Sequence, residues 1–142
     1  MKKIRLSCLV SLAFCALVSS CSSSTTRVKE IAVQNHGHSA LADVAVSFDD
    51  FRFTFGLFGQ GPSKRGGAHY IGSPRKVPGE VTVRWARIPA GVDYMNVYTG
   101  WNEVPRTHRH EETVKLDPAL VRDRVLMLAI EETTAKQIRP EN

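Results

Sequence analysis

Histidine residues occur in this sequence as two pairs whose spacing suits metal ligation. One residue separates His36 from His38, and one residue separates His108 from His110. On a strand, residues i and i+2 point to the same side, so each pair could give two imidazoles to one ion, and both pairs could complete a tetrahedral site. Both pairs lie in probable loops, and nothing in the sequence brings these loops together. We therefore expect solvated loop histidines, with a metal site as the alternative.

Other patterns give no support for catalysis. The sequence has no G-x-S-x-G elbow that could hold a nucleophilic serine. The glycine-rich stretch 56–67, GLFGQGPSKRGG, matches neither G-x-x-x-x-G-K-[ST] nor G-x-G-x-x-G, and no helix pattern follows it. We expect a long hairpin loop at this stretch. The chain is predicted to be no enzyme and to hold no cofactor.

Cys21 has the clearest chemistry. It follows a basic amino terminus and a mostly apolar run over 4–18, a pattern typical of a secretory signal and too short for a membrane-spanning helix. Residues 18–21, Val-Ser-Ser-Cys, resemble a bacterial lipobox. The resemblance implies that the Cys21 thiol takes a diacylglycerol, that the signal peptide 1–20 is cleaved, and that the new amino terminus is acylated. An ordinary cleaved signal with a chance cysteine is the alternative.

The residues after Cys21 bear on the location of the protein. Ser22 follows the cysteine, whereas the sorting rule of enteric lipoproteins reserves aspartate there for retention in the inner membrane. The resemblance thus implies a lipid anchor in the outer membrane, with the domain facing the periplasm. Residues 21–27 are polar and without periodicity, which predicts a flexible tether. Two or three acyl chains hold a protein far more firmly than one.

Charge and length limit the remaining possibilities. The sequence has 142 residues and a formal net charge of +5, which falls to +2 when the three basic residues of the signal peptide are removed. Nucleic-acid-binding domains show a basic stripe, so no nucleic-acid partner is expected. Cys8 and Cys15 would leave with the signal, so the folded part has no thiol. The rest fits a single β domain at 28–135 followed by a tail at 136–142.

Alternating apolar and polar residues dominate the domain and predict half-buried strands. The predicted strands are 28–35, 41–48, 51–55, 80–87, 92–100, 111–116 and 125–130. Asp49-Asp50 is a possible two-residue hairpin loop, although a continuous or bulged strand is also possible. Asp117 followed by Pro118 predicts one short helix near 117–123. About seven short strands favour a mainly β fold, either an antiparallel β-sandwich or a partly open barrel.

A loop of about a dozen residues, 99–110, carries the best candidates for contact with a partner. Trp101, Arg106 and Arg109 belong to residue types that dominate interface hot spots. Loops of this length in compact domains tend to be functional or disordered. The alternative is a surface loop in which Trp101 packs back onto the core.

Several longer stretches carry a family resemblance. They are NHGHSALADVAVSFDDF at 35–51, the Gly66-Gly67 pair, PGEVTVRW at 78–85, and ETVKLDPAL with VLMLAI at 112–130. Together they resemble a family of small proteobacterial lipoproteins encoded beside type VI secretion effector genes, some of which are immunity proteins for phospholipase effectors. The resemblance implies a protein-binding module that meets a phospholipase toxin in the periplasm. Alternatives are a structural lipoprotein of the envelope or of a secretion assembly, and a metal-binding protein.

Overall fold

The computed structural model describes residues 26–56, 58, 67–93 and 101–141. Within these residues the chain forms eight β-strands and three single turns of 3₁₀-helix, at Trp101–Glu103, Arg106–His108 and Pro118–Leu120. The strands are β1 (Arg27–Asn35), β2 (Ala40–Phe48), β3 (Phe51–Thr54), β4 (Ala68–Lys76), β5 (Glu80–Ile88), β6 (Arg109–Lys115), β7 (Val125–Ile130) and β8 (Ala135–Ile138).

The strands form two four-stranded sheets. One has the order β4-β1-β7-β8 and the other the order β3-β2-β5-β6. All pairs are antiparallel except β1 with β7, which are parallel. Among the described strands neither sheet pairs with the other to close a cylinder, so of the two predicted folds the structure is consistent with the sandwich. The prediction of a mainly β fold is confirmed, with eight strands in the described residues where about seven were expected.

The main core lies between the sheets and follows the period-two pattern of the sequence. Fully buried residues come from β1 and β7 in one sheet and from β2 and β5 in the other. They include Ile31, Val33, Val44, Val46, Val81, Val83, Trp85, Leu126 and Leu128. Residues on alternate positions of these strands point to the same face, so each sheet presents a continuous apolar surface to its partner.

A β-bulge in β2 creates a second, smaller apolar cluster on the outer face. The register of β2 against β5 shifts between Ala42 and Ala45, and Asp43 there has a φ of +49°. The extra residue reverses the alternation, so that Leu41 and Val44 face the main core while Ala42 faces outward. Members of the outer cluster are Ala40, Ala42, Ala86, Ile88 and Val104, with Val92 and Trp101 packed against them.

Two strands lie where the sequence predicted none. β4 follows the glycine-rich stretch and is exposed at most positions on both faces, so it has no apolar alternation to detect. β8 occupies 135–138, so the predicted tail at 136–142 is wrong for its first three residues. Its edge is tied to the other sheet because the backbone N–H of Ala135 donates to the Glu112 carboxylate. Pairing with β7 and the contact with Glu112 therefore define β8, and its own sequence pattern does not.

Local predictions at two turns can be compared directly. Asp49 and Asp50 form the turn of a β2–β3 hairpin, in which Phe48 pairs with Phe51. Asp117 accepts a hydrogen bond from the Ala119 backbone N–H at 2.9 Å and caps a single 3₁₀ turn, which is shorter than the predicted helix. Most of the predicted strand at 92–100 lies outside the described residues, as do most of the glycine-rich loop, the signal peptide and nearly all of the tether.

Candidate functional site

The candidate site lies at one end of the sandwich. We call the end at which β1 begins the proximal end, and the opposite end the distal end. The distal end holds the 36–39 loop, the end of β5, the Arg106–His108 turn and the β7–β8 turn. A cavity of about 360 Å³ opens there and is lined by Ser39, Arg87, Pro89, Thr107 and His108. We refer to it as the distal cleft.

Glu132, in the β7–β8 turn, organises the loop beside the cleft. Its carboxylate accepts hydrogen bonds from the backbone N–H groups of His38 and Ser39, the latter at 3.2 Å, and from the Ser39 hydroxyl at 3.0 Å. A Cβ added to Gly37 would lie 3.0 Å from Glu132 Oε1, so glycine allows this close approach. Hydrogen bonding, led by the His38 N–H, holds the pKa of Glu132 below its usual range, although partial burial opposes this shift.

Arg87 forms an ion pair with Glu132 across the two sheets. Its Nε lies 3.2 Å from Glu132 Oε2, and each side chain is 36% exposed. The approach lacks hydrogen-bond geometry, so Nε makes no hydrogen bond to any described residue. The charge attraction therefore holds the guanidinium near the carboxylate without a hydrogen bond from Nε.

The Glu132→Gln variant tests the role of this carboxylate in stability. Because the pKa is lowered in the folded state, the ionised carboxylate contributes stability above its ordinary pKa of about 4.5, and this contribution is lost as the pH falls through the folded value. At pH 7 we expect the variant to lose about 1 kcal/mol of unfolding free energy, since charge-assisted hydrogen bonds to a half-exposed group are removed. Urea denaturation at pH 7 and at pH 3 measures this loss, which should shrink at the lower pH.

Glu131→Gln is the matched control for that measurement. Glu131 lies in the same turn, but its partner is Lys136 at the protein surface. Exposed ion pairs contribute little to stability, so this variant should change the unfolding free energy much less. Equal losses in the two variants would contradict the role given to Glu132.

His110 lies next to the cleft on the inner face of β6. Its ring stacks on the buried indole of Trp85, with centroids 5.3 Å apart and planes at 19°. Burial lowers the pKa of His110, and the nearby charges of Arg87 and His108 lower it further. Its imidazole is consequently neutral at pH 7, where one ring nitrogen donates and the other accepts.

Several buried nitrogens around the cleft have unused hydrogen-bonding capacity. Arg87 Nε, His108 Nδ1 and His110 Nε2 are buried atoms that find no hydrogen-bond partner among the residues the structure describes. Trp85, whose indole stacks on the ring of His110, likewise has a buried Nε1 without a hydrogen-bond partner among these residues. Buried polar atoms in native proteins are usually paired, because an unmade hydrogen bond costs about 1–3 kcal/mol. Arg84 Nε and Arg109 Nε, beside Trp101 on the outer face, are unpaired in the same way. These nitrogens therefore cluster at the distal ends of β5 and β6, and those of Arg87 and His108 belong to residues that line the cleft.

Of the predicted partner-binding residues, Trp101 and Arg109 lie at the outer apolar cluster and Arg106 lies beside the distal cleft. Trp101 is half-buried on the outer apolar cluster, as the alternative interpretation of this residue proposed. Two guanidinium groups flank its ring, with Arg84 at 4.8 Å and Arg109 at 5.8 Å from the ring centroid. Arg106 is exposed in the turn whose next two residues, Thr107 and His108, line the distal cleft. Arg106 is therefore the candidate that can reach a partner without rearrangement.

The two histidine pairs do not form a metal centre in the described part of the chain. There, no group of three His, Cys, Asp or Glu residues could hold an ion. His36 instead bonds to Gln34 Oε1 at 2.8 Å. The second pair is not in a loop as expected, since His108 ends a 3₁₀ turn and His110 lies in β6. Even so, the loop of the first pair and the turn of the second meet at the cleft, through Ser39 and His108.

Sequence reasoning did not find three main components of the site, namely Ser39, Arg87 and Glu132. One signal for Arg87 was available. Arg87 is the next alternate position of β5 after the core residues Val83 and Trp85. A charged residue therefore occupies a position where the period-two pattern predicts an apolar one. Cys21 lies outside the described residues, and among those residues no helix is long and apolar enough to span a membrane.

Comparison of the chain with models of protein families, with curated proteins and with solved structures found no match.

Proposed function

We propose that this chain is an outer-membrane lipoprotein, anchored through lipid on Cys21 and facing the periplasm, that acts as a protein-binding module. We further propose that its partner is a phospholipase effector of a type VI secretion system, for which it serves as an immunity or accessory protein. The sequence support is the lipobox-like Val-Ser-Ser-Cys at 18–21 and the family resemblance over most of the mature chain.

The opposite placement of tether and cleft is the observation that carries this proposal. The described chain begins at Thr26 and enters the sandwich at the proximal end through β1. Nine residues of β1 then lead to the distal end, a span of about 26 Å. A domain held at Cys21 would thus present its distal cleft and Arg106 away from the membrane, where a periplasmic protein can reach them.

A lipid anchor would also explain how a small binder protects a membrane. It would hold the binder at the surface where phospholipid is cleaved, and so raise the effective concentration of the binder that the toxin meets there. The proposed module blocks the active site of the toxin or its docking to the membrane, and needs no catalytic group of its own.

Deletion of the gene tests the proposal. Cells lacking it should become sensitive to the proposed phospholipase effector when a neighbouring cell delivers that toxin, and the wild-type gene supplied on a plasmid should restore resistance. Unchanged survival of the deletion strain, together with no binding between the purified full-length protein and the phospholipase, would overturn the proposal.

Arg106→Ala is the variant that tests the surface. Because Arg106 is exposed, its removal should leave the fold intact while weakening phospholipase binding about tenfold, or ~1.4 kcal/mol. Surface plasmon resonance with the full chain in neutral detergent measures the affinity. The control is Arg52→Ala, an exposed arginine of β3 far from the distal end, which should bind as the wild type does. A loss of affinity in both variants would argue against a distal binding surface.

A further inference from the structure

We propose that the distal cleft is a binding site for a carboxylate group. The proposed function supplies the source of that group, an acidic side chain on the partner protein, and this part of the inference rests on it. A free small carboxylate is the other possible source. The argument depends on the donors, the charge balance and the size of the cleft.

Arg87 gives the cleft a guanidinium that is held near Glu132 without a hydrogen bond from Nε. Arg87 lines the cleft and is 36% exposed, while its ion pair with Glu132 lacks hydrogen-bond geometry. Glu132 has three other donors, from His38 and Ser39, so it stays satisfied when the guanidinium turns to a ligand. A planar guanidinium matches the two oxygens of a carboxylate, which it can bind through two parallel hydrogen bonds.

The histidine side adds further hydrogen-bonding groups. His108 lines the cleft with a buried Nδ1 that has no partner among the described residues, and His110 beside it has such an Nε2. Thr107 lies on the rim between Arg106 and His108. An acceptor on the ligand would remove the cost of leaving the His108 nitrogen unpaired when the ring turns toward the cleft.

The charge balance disfavours a ligand with more than one negative charge. Glu132 offsets the charge of Arg87, and the neutral ring of His110 adds none at pH 7. A phosphate dianion would meet the Glu132 carboxylate with too little positive charge to compensate it, whereas a carboxylate brings one charge and two acceptor oxygens. The volume of about 360 Å³ accommodates one acidic side chain.

Titration with acetate tests the site without any partner. Full-length protein with isotopically labelled histidine is prepared in neutral detergent and titrated at pH 7 with sodium acetate. The imidazole signals of its histidines are followed by NMR. We expect the rings of His108 and His110 to shift saturably, while those of His36 and His69, outside the cleft, do not move. Sodium chloride at the same ionic strength is the control. Equal shifts with chloride, or no shift with acetate, would overturn the proposal.

Three variants separate binding from loss of structure. Arg87→Gln should raise the acetate dissociation constant at least tenfold, whereas Arg84→Gln, on the outer face beside Trp101, should leave it unchanged. Thr107→Leu narrows the cleft from its exposed rim without touching the ion pair, and should also weaken acetate binding. If both Arg87→Gln and Thr107→Leu bind acetate as the wild type does, the proposal is wrong.

Adding the phospholipase distinguishes the two sources of the carboxylate. If the toxin prevents the acetate-induced shifts, the group is an acidic side chain of the partner. If acetate binds and the toxin leaves its binding unchanged, a free small carboxylate is the ligand. Failure of acetate to bind removes the cleft site alone, because the survival of the deletion strain judges the proposed function separately.

Discussion

The Cys21→Ala variant is expected to accumulate as an uncleaved precursor in the inner membrane, without acyl groups and without sorting to the outer membrane. The thiol is the only nucleophile in the lipobox-like segment that suits thioether formation, so its removal stops the first step of the modification. The precursor would then be held by its uncleaved signal peptide alone and would lack the firmer attachment that two or three acyl chains provide. Mass spectrometry of the amino-terminal peptide and fractionation of the two membranes measure both effects.

Cys15→Ala is the matched control for this variant. Cys15 lies within the apolar run of the predicted signal peptide and would be removed by cleavage after residue 20. Its replacement should therefore leave lipidation and sorting unchanged. Normal acyl mass and outer-membrane sorting in the Cys21→Ala protein would refute the proposed lipid anchor at Cys21, and with it the proposed orientation of the distal cleft away from the membrane.

Replacement of Trp85 by alanine should have the largest effect on stability. Trp85 is 0% exposed, lies in β5 within the main core and stacks on His110. Truncating a buried tryptophan to alanine removes apolar contacts and leaves a cavity, which typically costs about 3–5 kcal/mol. Since small domains have a total stability of about 5–15 kcal/mol, much of the protein could unfold at 37 °C. Guanidinium denaturation followed by circular dichroism measures the loss.

Tyr70→Ala provides the comparison for that result. Tyr70 is also aromatic and also lies in a strand, but it is 65% exposed on β4. Surface substitutions usually change stability by less than about 0.5 kcal/mol, so the transition midpoint should barely move. A Trp85→Ala protein as stable as the Tyr70→Ala protein would show that the core between the sheets does not depend on this ring.

The fold was predictable where one face of a strand is buried and the other is not. Val81, Val83 and Trp85 alternate with polar residues because β5 has the core on one side. β4 could not be predicted, since its residues are exposed on both faces and only pairing with β1 makes it a strand. The four residues of β8 are likewise fixed by β7 and by the Glu112 contact, neither of which is local in sequence.

The site was less predictable than the fold because its parts come from distant segments. Ser39 and Glu132 are 93 positions apart and meet through hydrogen bonds that leave no spacing pattern. The histidine pairs drew attention to this end of the domain because the 36–39 loop and the turn that ends at His108 meet there. In the described residues these segments converge at the Arg87–Glu132 ion pair, and no three metal-ligating side chains meet. Trp101 packs on an apolar cluster of the outer face that includes Ala40 and Ala42. The bulge at Asp43, which lies beside these alanines in β2, has no clear sequence signature.

The parallel pairing of β1 with β7 has a consequence for the order of folding. The first strand hydrogen-bonds to Val125–Ile130 and to β4, and in the sheets it is not a neighbour of β2. Its central position in the sheet stays vacant on one side until nearly the whole chain has been made, and closing so long a loop is entropically slow. We therefore expect the β4-β1-β7-β8 sheet to be completed late in folding, after the strands of the other sheet are available.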